Sequence, residues 1–68
     1  MHLTIEIEQE EYGRWITEVL EIPGAMAYGK TKKEAIAKVQ TLALRVLVDR
    51  LEQGETVPEI NAIFSIAA

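Results

Sequence analysis

Residues 34–53 contain neither proline nor glycine, and no other feature constrains the fold of this chain more strongly. Thr31 and Glu34 have the spacing of a capping box, in which the threonine hydroxyl accepts a hydrogen bond from the backbone N–H three residues later. Gly54 stands where a helix commonly ends, because glycine readily adopts the left-handed conformation of a C-terminal cap. The sequence therefore predicts one long helix that ends near Gln53.

Apolar residues cover roughly 240° of this helix, whereas packing on one face of a sheet needs little more than 100°. The central apolar stripe comprises Ile36, Val39, Ala43, Val46, Leu47 and Leu51. Leu42 extends the stripe on one side, and Leu44 and Val48 extend it on the other. We expect a helix with so wide an apolar arc to contact a second surface in addition to its own sheet.

Three segments before the helix have the pattern of strands. Residues 3–8 alternate between apolar and polar side chains, which is typical of a half-buried strand. Residues 14–20 form a predicted second strand after a turn at Gly13, and residues 25–28 form a third after a turn at Pro23 and Gly24. Beyond the helix, residues 61–66 are mostly apolar and predict a fourth strand.

The element order β-β-β-α-β indicates an α+β fold in a single domain that spans residues 1–68. The first three strands are expected to form an antiparallel meander. The fourth strand is expected to join parallel to the first through a right-handed crossover, with the single helix on one face. Trp15 and Ile16 compete for the core face of the second strand. The residues that we expect to be strongly buried are Ile5, Ile7, Trp15, Val39, Ala43, Leu47 and Ile63.

A chain of 68 residues buries only roughly 60% of the surface of its unfolded form, so it needs additional stabilisation. It has no cysteine, and its one histidine is His2, so we expect no disulfide, metal site or cofactor. Self-association remains, and we predict a homodimer or higher oligomer. The candidate interface residues lie on one flank of the helix and on the fourth strand: Leu44, Val48, Ile63 and Phe64.

Eleven acidic residues against seven basic ones argue against nucleic-acid binding and favour a basic protein partner. No segment approaches the roughly 20 apolar residues of a membrane helix, and no signal peptide is recognisable, so a cytoplasmic protein is expected. Ser65 has no histidine or cysteine near it in sequence, and Asp49 is the only aspartate. Neither nucleophilic catalysis nor a two-metal nuclease is predicted, so we expect a protein that is not an enzyme.

Three sequence blocks occur in an order and spacing that are typical of one known family. They read GRWITEVLEIPG at residues 13–24, YGKT at 28–31 followed by EA at 34–35, and GETVP at 54–58. Together they resemble the HicB-like antitoxin domain over nearly the whole chain. The resemblance implies a partial RNase H-like β-β-β-α-β fold. It also implies that the protein binds and neutralises a HicA-type toxin, a small basic ribonuclease that cleaves messenger RNA.

The chain departs from the family pattern at three positions. Leu20, Ala25 and Lys30 stand where the family usually has proline, cysteine and aspartate. Many HicB antitoxins also continue into a DNA-binding domain after the last strand, which this sequence lacks after Ala68, so no direct DNA binding is expected. The alternative function is a stand-alone dimerisation or interaction module of the same fold without a toxin partner.

The partner-binding surface is expected near the turn at Pro23 and Gly24. Aromatic side chains are enriched among residues that dominate binding energy, and acidic side chains attract a basic partner. The candidate residues are Tyr12, Trp15, Glu18, Glu21, Pro23 and Tyr28. Trp15 is open to a second interpretation, in which it only covers the edge of the core.

Overall fold

The computed structural model describes residues 2–67 and has an α+β fold. Its elements are β1 (Ile5–Gln9), β2 (Trp15–Val19), β3 (Met26–Gly29), α1 (Lys32–Glu52) and α2 (Pro58–Asn61). The three strands form one antiparallel sheet in the order β1-β2-β3, which confirms the predicted meander. The long helix α1 packs on one face of this sheet, mainly against β3 and β2.

The strand register determines which side chains share a face of the sheet. Ile5 lies opposite Val19, and Ile7 lies opposite Thr17. Opposing residues of an antiparallel pair point to the same side, so these side chains all face α1. The side chains of alternate residues point away from α1 and are exposed or half-buried: Glu6, Glu8, Ile16, Glu18, Met26 and Tyr28.

α1 begins as the sequence predicts, with the Thr31 hydroxyl accepting a 3.1 Å hydrogen bond from the Glu34 backbone N–H. Its buried residues are spaced by four: Ala35, Val39, Ala43 and Leu47. This spacing keeps them on one side of the helix, where they meet the sheet. The helix ends next to Gly54, whose φ of 81° is the left-handed conformation expected of a glycine at this place.

The core lies between α1 and the β2–β3 side of the sheet. It comprises Val19, Ile22, Ala25, Val39, Ala43, Leu47 and Val57. Strong burial is confirmed for the three helix residues predicted to be in the core, whereas Ile5, Ile7 and Trp15 are only half-buried. β1 is covered less than predicted because α1 lies nearer to β3, the strand at the other edge of the sheet.

The predicted fourth strand, residues 61–66, does not form in the part of the chain that the structure describes. Pro58 instead opens the four-residue helix α2, since the first turn of a helix tolerates proline. The residues after α2 lie in solvent, and the prediction that Ile63 is buried is wrong, because 54% of its surface is exposed. A strand needs a neighbour for its backbone hydrogen bonds, and no such neighbour lies beside this segment within residues 2–67. The parallel strand of an RNase H-like sheet is therefore not observed.

Neither α1 nor α2 combines the length and the apolar composition that crossing a membrane requires, and no other helix occurs in residues 2–67.

Candidate partner-binding surfaces

The sheet face that points away from α1 carries acidic and apolar side chains in rows; we call it the outer sheet face. The first row, set by the register, is Glu8, Ile16 and Tyr28. The second row is Glu6, Glu18 and Met26. A shallow depression of about 360 Å³ lies on this face, and the lining side chains include Glu6, Ile16, Glu18 and Met26.

The outer sheet face has an excess of negative charge. Glu6, Glu8 and Glu18 take part in none of the salt bridges found within residues 2–67. Arg14, at one corner of the face, forms a salt bridge with Glu10, and the hydrogen bond to Glu10 raises the pKa of the arginine. Its guanidinium also lies 4.1 Å from the centroid of the Tyr28 ring, a cation–π geometry. The nearest arginine is thus already engaged, and the three carboxylates remain available to a partner.

Two of the candidate partner-binding residues, Glu18 and Tyr28, lie together on the outer sheet face. Trp15 lies on the opposite face, where its ring is half-buried and 5.9 Å from the Lys32 ammonium at the start of α1. Tyr12 is 95% exposed and lies in the turn between β1 and β2.

Glu21 and Pro23 belong to the turn between β2 and β3, at the end of the sheet opposite to Tyr12. The Glu21 carboxylate accepts hydrogen bonds from the backbone N–H and the hydroxyl of Thr4, at 2.7 and 2.8 Å. These two bonds lower the pKa of Glu21. The carboxylate therefore holds the chain before β1 against this turn, a structural task that the sequence did not reveal.

Sequence reasoning did not select Ile16 and Met26 for a partner surface. The second strand has apolar residues on both faces, so alternation alone could not assign Trp15 or Ile16 to the core. The residue that assigns the buried face of β2 is Thr17, whose hydroxyl is buried and donates a 2.8 Å hydrogen bond to the Ala35 carbonyl of α1. A buried hydroxyl requires such an acceptor, and this bond turns odd-numbered residues of β2 toward the helix.

A second candidate surface is an apolar groove between β1 and α1, which we call the β1–α1 groove. It has a volume of about 310 Å³ and is lined by Leu3, Ile5, Val19, Gln40, Ala43 and Leu44. Beside it, Leu44 and Val48 are 54% and 50% exposed, so the predicted helix flank is open to solvent. The other two predicted interface residues, Ile63 and Phe64, are exposed in the segment after α2.

Within residues 2–67, no group of three or more His, Cys, Asp or Glu side chains has an arrangement that could hold a metal ion. The two candidate surfaces are an open sheet face and an apolar groove, and they offer a partner negative charge and apolar area.

Comparison with known proteins finds a relative in an archaeon. The chain is 35% identical over 63 residues to the UPF0150 protein Ta0767 of Thermoplasma acidophilum, a match that covers 91% of this chain and 90% of the relative. No family model matches the chain. No solved structure matches it significantly.

Proposed function

The chain belongs to the UPF0150 family, and from that membership we propose that it is an antitoxin-type protein that binds and neutralises a small basic HicA-type ribonuclease. UPF0150 is a HicB-like family, in agreement with the sequence blocks at residues 13–24 and 54–58. On this proposal the protein acts in the cytoplasm by binding another protein. It is neither an enzyme nor a DNA-binding protein, and it needs no cofactor.

The observation that carries the proposal is the outer sheet face. Three carboxylates that form no salt bridge within residues 2–67, those of Glu6, Glu8 and Glu18, lie on β1 and β2 beside half-exposed apolar side chains. Met26 and Tyr28 are 43% and 42% exposed on the same face. Protein interfaces commonly combine an apolar centre that includes methionine and tyrosine with a polar rim. Negative charge at that rim would attract a basic partner and orient it during encounter.

Such a face would inhibit a ribonuclease by competing for its substrate site. A ribonuclease holds RNA largely through basic side chains that contact phosphates. A sheet face with closely spaced carboxylates presents comparable negative charge to the same basic surface. Binding of the protein and binding of RNA would then be mutually exclusive.

The test is a charge reversal on the outer sheet face, measured against the basic protein encoded beside this chain. We expect Glu6→Lys together with Glu18→Lys to slow association about tenfold or more at low salt. Both residues lie in the same row, so the change is concentrated at one place. The difference should shrink as the salt concentration rises, because salt screens exposed charges.

The matched control is Glu52→Lys together with Glu55→Lys, which makes the same change in net charge. Both control residues are exposed and lie at the end of α1 and just after it, off the sheet. A control that slows association as much as the sheet variant would show that only net charge matters and would remove the outer sheet face from the proposal. The antitoxin function itself would be contradicted if neither adjacent reading frame encoded a basic protein of similar length.

A further inference from the structure

We propose that a second copy of this chain occupies the β1–α1 groove by laying its residues 62–67, here called the tail, along the free edge of β1. This inference concerns self-association, and it does not depend on the antitoxin function. It assigns an occupant to an apolar groove and to an unpaired strand edge that the fold otherwise leaves open.

The free edge of β1 has backbone groups available for an added strand. The hydrogen bond from the Leu20 N–H to the Thr4 carbonyl directs the even-numbered residues of this segment toward β2. Alternation along the strand then directs the backbone N–H and C=O groups of Ile5, Ile7 and Gln9 toward the free edge. No strand within residues 2–67 pairs with that edge. Such an edge is a template for pairing with another extended chain.

The tail has the composition that the groove requires. Ile63, Phe64 and Ile66 are 54%, 72% and 96% exposed, so the tail's large side chains have little contact with their own molecule. In an extended strand, Phe64 and Ile66 point to the same side because side chains alternate with a period of two. Both would therefore enter the groove together, against Leu3, Ile5 and Leu44.

The total exposed area argues for a dimer. The chain exposes 5222 Å², whereas a compact monomer of 7.6 kDa is expected to expose about 4,300 Å². The excess is about 900 Å² per chain, or about 1,800 Å² for two copies. A stable protein interface of standard size buries about 1,200–2,000 Å².

A second copy explains the open surfaces better than the chain's own tail does. The longest dimension of the molecule is 53 Å, although 21 helical residues span only about 32 Å. Residues 62–67, after α2, are all exposed, as expected of an end of the chain that extends away from the body. A single short strand could also not cover the exposed helix flank at Leu44, Val48 and Leu51. Two copies related by a two-fold axis would bury both tails and both flanks, and the second molecule's tail would supply the missing fourth strand.

The first experiment measures mass by light scattering at about 100 μM. We expect the unmodified chain to be a dimer and a chain that stops after Asn61 to be a monomer. Leu44→Glu, which places a charge in the groove, should also give a monomer. Arg45→Gln makes the same change in net charge at an exposed position about 100° around α1 from Leu44 and should remain a dimer. Circular dichroism tests whether each variant is folded. If Leu44→Glu is unfolded, Val48→Glu is used in its place.

The second experiment mixes the two monomeric variants. The chain without a tail has an open groove, and the Leu44→Glu chain has an intact tail. Exchange between copies predicts that the mixture forms a complex of one molecule of each, detected at total concentrations of up to about 1 mM. A tail that docks on its own molecule would instead leave the unmodified chain a monomer in the first experiment.

Three results would overturn the proposal. The unmodified chain could have the mass of a monomer, which leaves the groove to its own tail or to another protein. The chain without a tail could remain a dimer, which excludes the tail as the occupant. The two variants could fail to associate on mixing, which excludes exchange of tails between copies.

Discussion

Glu21 joins the turn between β2 and β3 to the residue that precedes β1. Its carboxylate accepts two hydrogen bonds from Thr4, one from the backbone N–H and one from the hydroxyl. These bonds lower the pKa of Glu21 below the ordinary value of 4.5. A carboxylate whose pKa is lower in the folded state stabilises the fold when it is ionised. This stabilisation is therefore present above the ordinary pKa and is lost as the pH falls through the lower, folded-state pKa.

We predict that Glu21→Gln lowers the free energy of unfolding at about pH 7 and that the difference from the unmodified chain shrinks as the pH falls below the ordinary glutamate pKa of 4.5. Urea unfolding at a series of pH values measures this difference. Glu11→Gln is the control, because it removes a carboxylate of the β1–β2 turn that accepts no side-chain hydrogen bond within residues 2–67. A Glu21 difference that stays constant down to acidic pH would contradict the prediction.

At the scale of elements, the start of α1 lies very close to the end of β3. A Cβ placed on Gly29 would lie 2.5 Å from the backbone nitrogen of Ala35 and 3.1 Å from its Cβ. The contact is between backbones, so a larger residue could be accommodated only if the helix moved. Ala35 is fully buried at this contact, and Thr17 bonds to its carbonyl from the neighbouring strand.

We predict that Gly29→Ala destabilises the fold by about 1–3 kcal/mol, the usual cost of overpacking a core. Chemical denaturation measures the change in the free energy of unfolding. Gly13→Asn is the control, because no atom lies within 4 Å of a Cβ at Gly13 and asparagine tolerates the positive φ found there. Equal losses in the two variants would mean that the close approach of α1 to β3 is not what requires glycine.

At the scale of the whole molecule, the apolar core is small and much apolar surface remains outside it. Ala35 and Ala43 contribute little area where α1 meets the sheet, while Leu44, Val48 and Leu51 are exposed on the same helix. More apolar area therefore remains outside the core than is expected of a monomer with one helix and one sheet. Stability gained through a second copy would depend on protein concentration, because mass action favours the associated form.

We predict that the Tm of the unmodified chain rises with protein concentration, whereas the Tm of the chain that stops after Asn61 does not. Thermal unfolding at about 5 and about 500 μM tests this, since a dimer is stabilised in proportion to the logarithm of its concentration. The truncated chain serves as the control at both concentrations. A Tm of the unmodified chain that is independent of concentration would contradict the dimer.

Of the candidate site, the sequence predicted the open helix flank at Leu44 and Val48, because nine apolar positions on one helix exceed what a single sheet face can cover. The sequence was less successful in predicting which of the acidic and aromatic candidate residues share one surface. Glu18 and Tyr28 share a face, but Trp15 lies on the other side of the sheet and Glu21 is engaged with Thr4. Residues close together in sequence were assigned to one surface, although alternation along a strand and the two ends of the sheet separate them.

The sequence by itself determined the elements whose signals are local. The cap at Thr31, the absence of proline and glycine in α1, and the turns at Gly13 and Gly24 involve residues only a few positions apart, so neighbouring residues are enough to specify them. Only the tertiary structure decided which face of β2 is buried, because that choice depends on a hydrogen bond between residues 17 and 35. It also decided that residues 61–66 form no strand. Apolar character can suggest a strand, but its backbone hydrogen bonds form only if a neighbouring strand lies beside it.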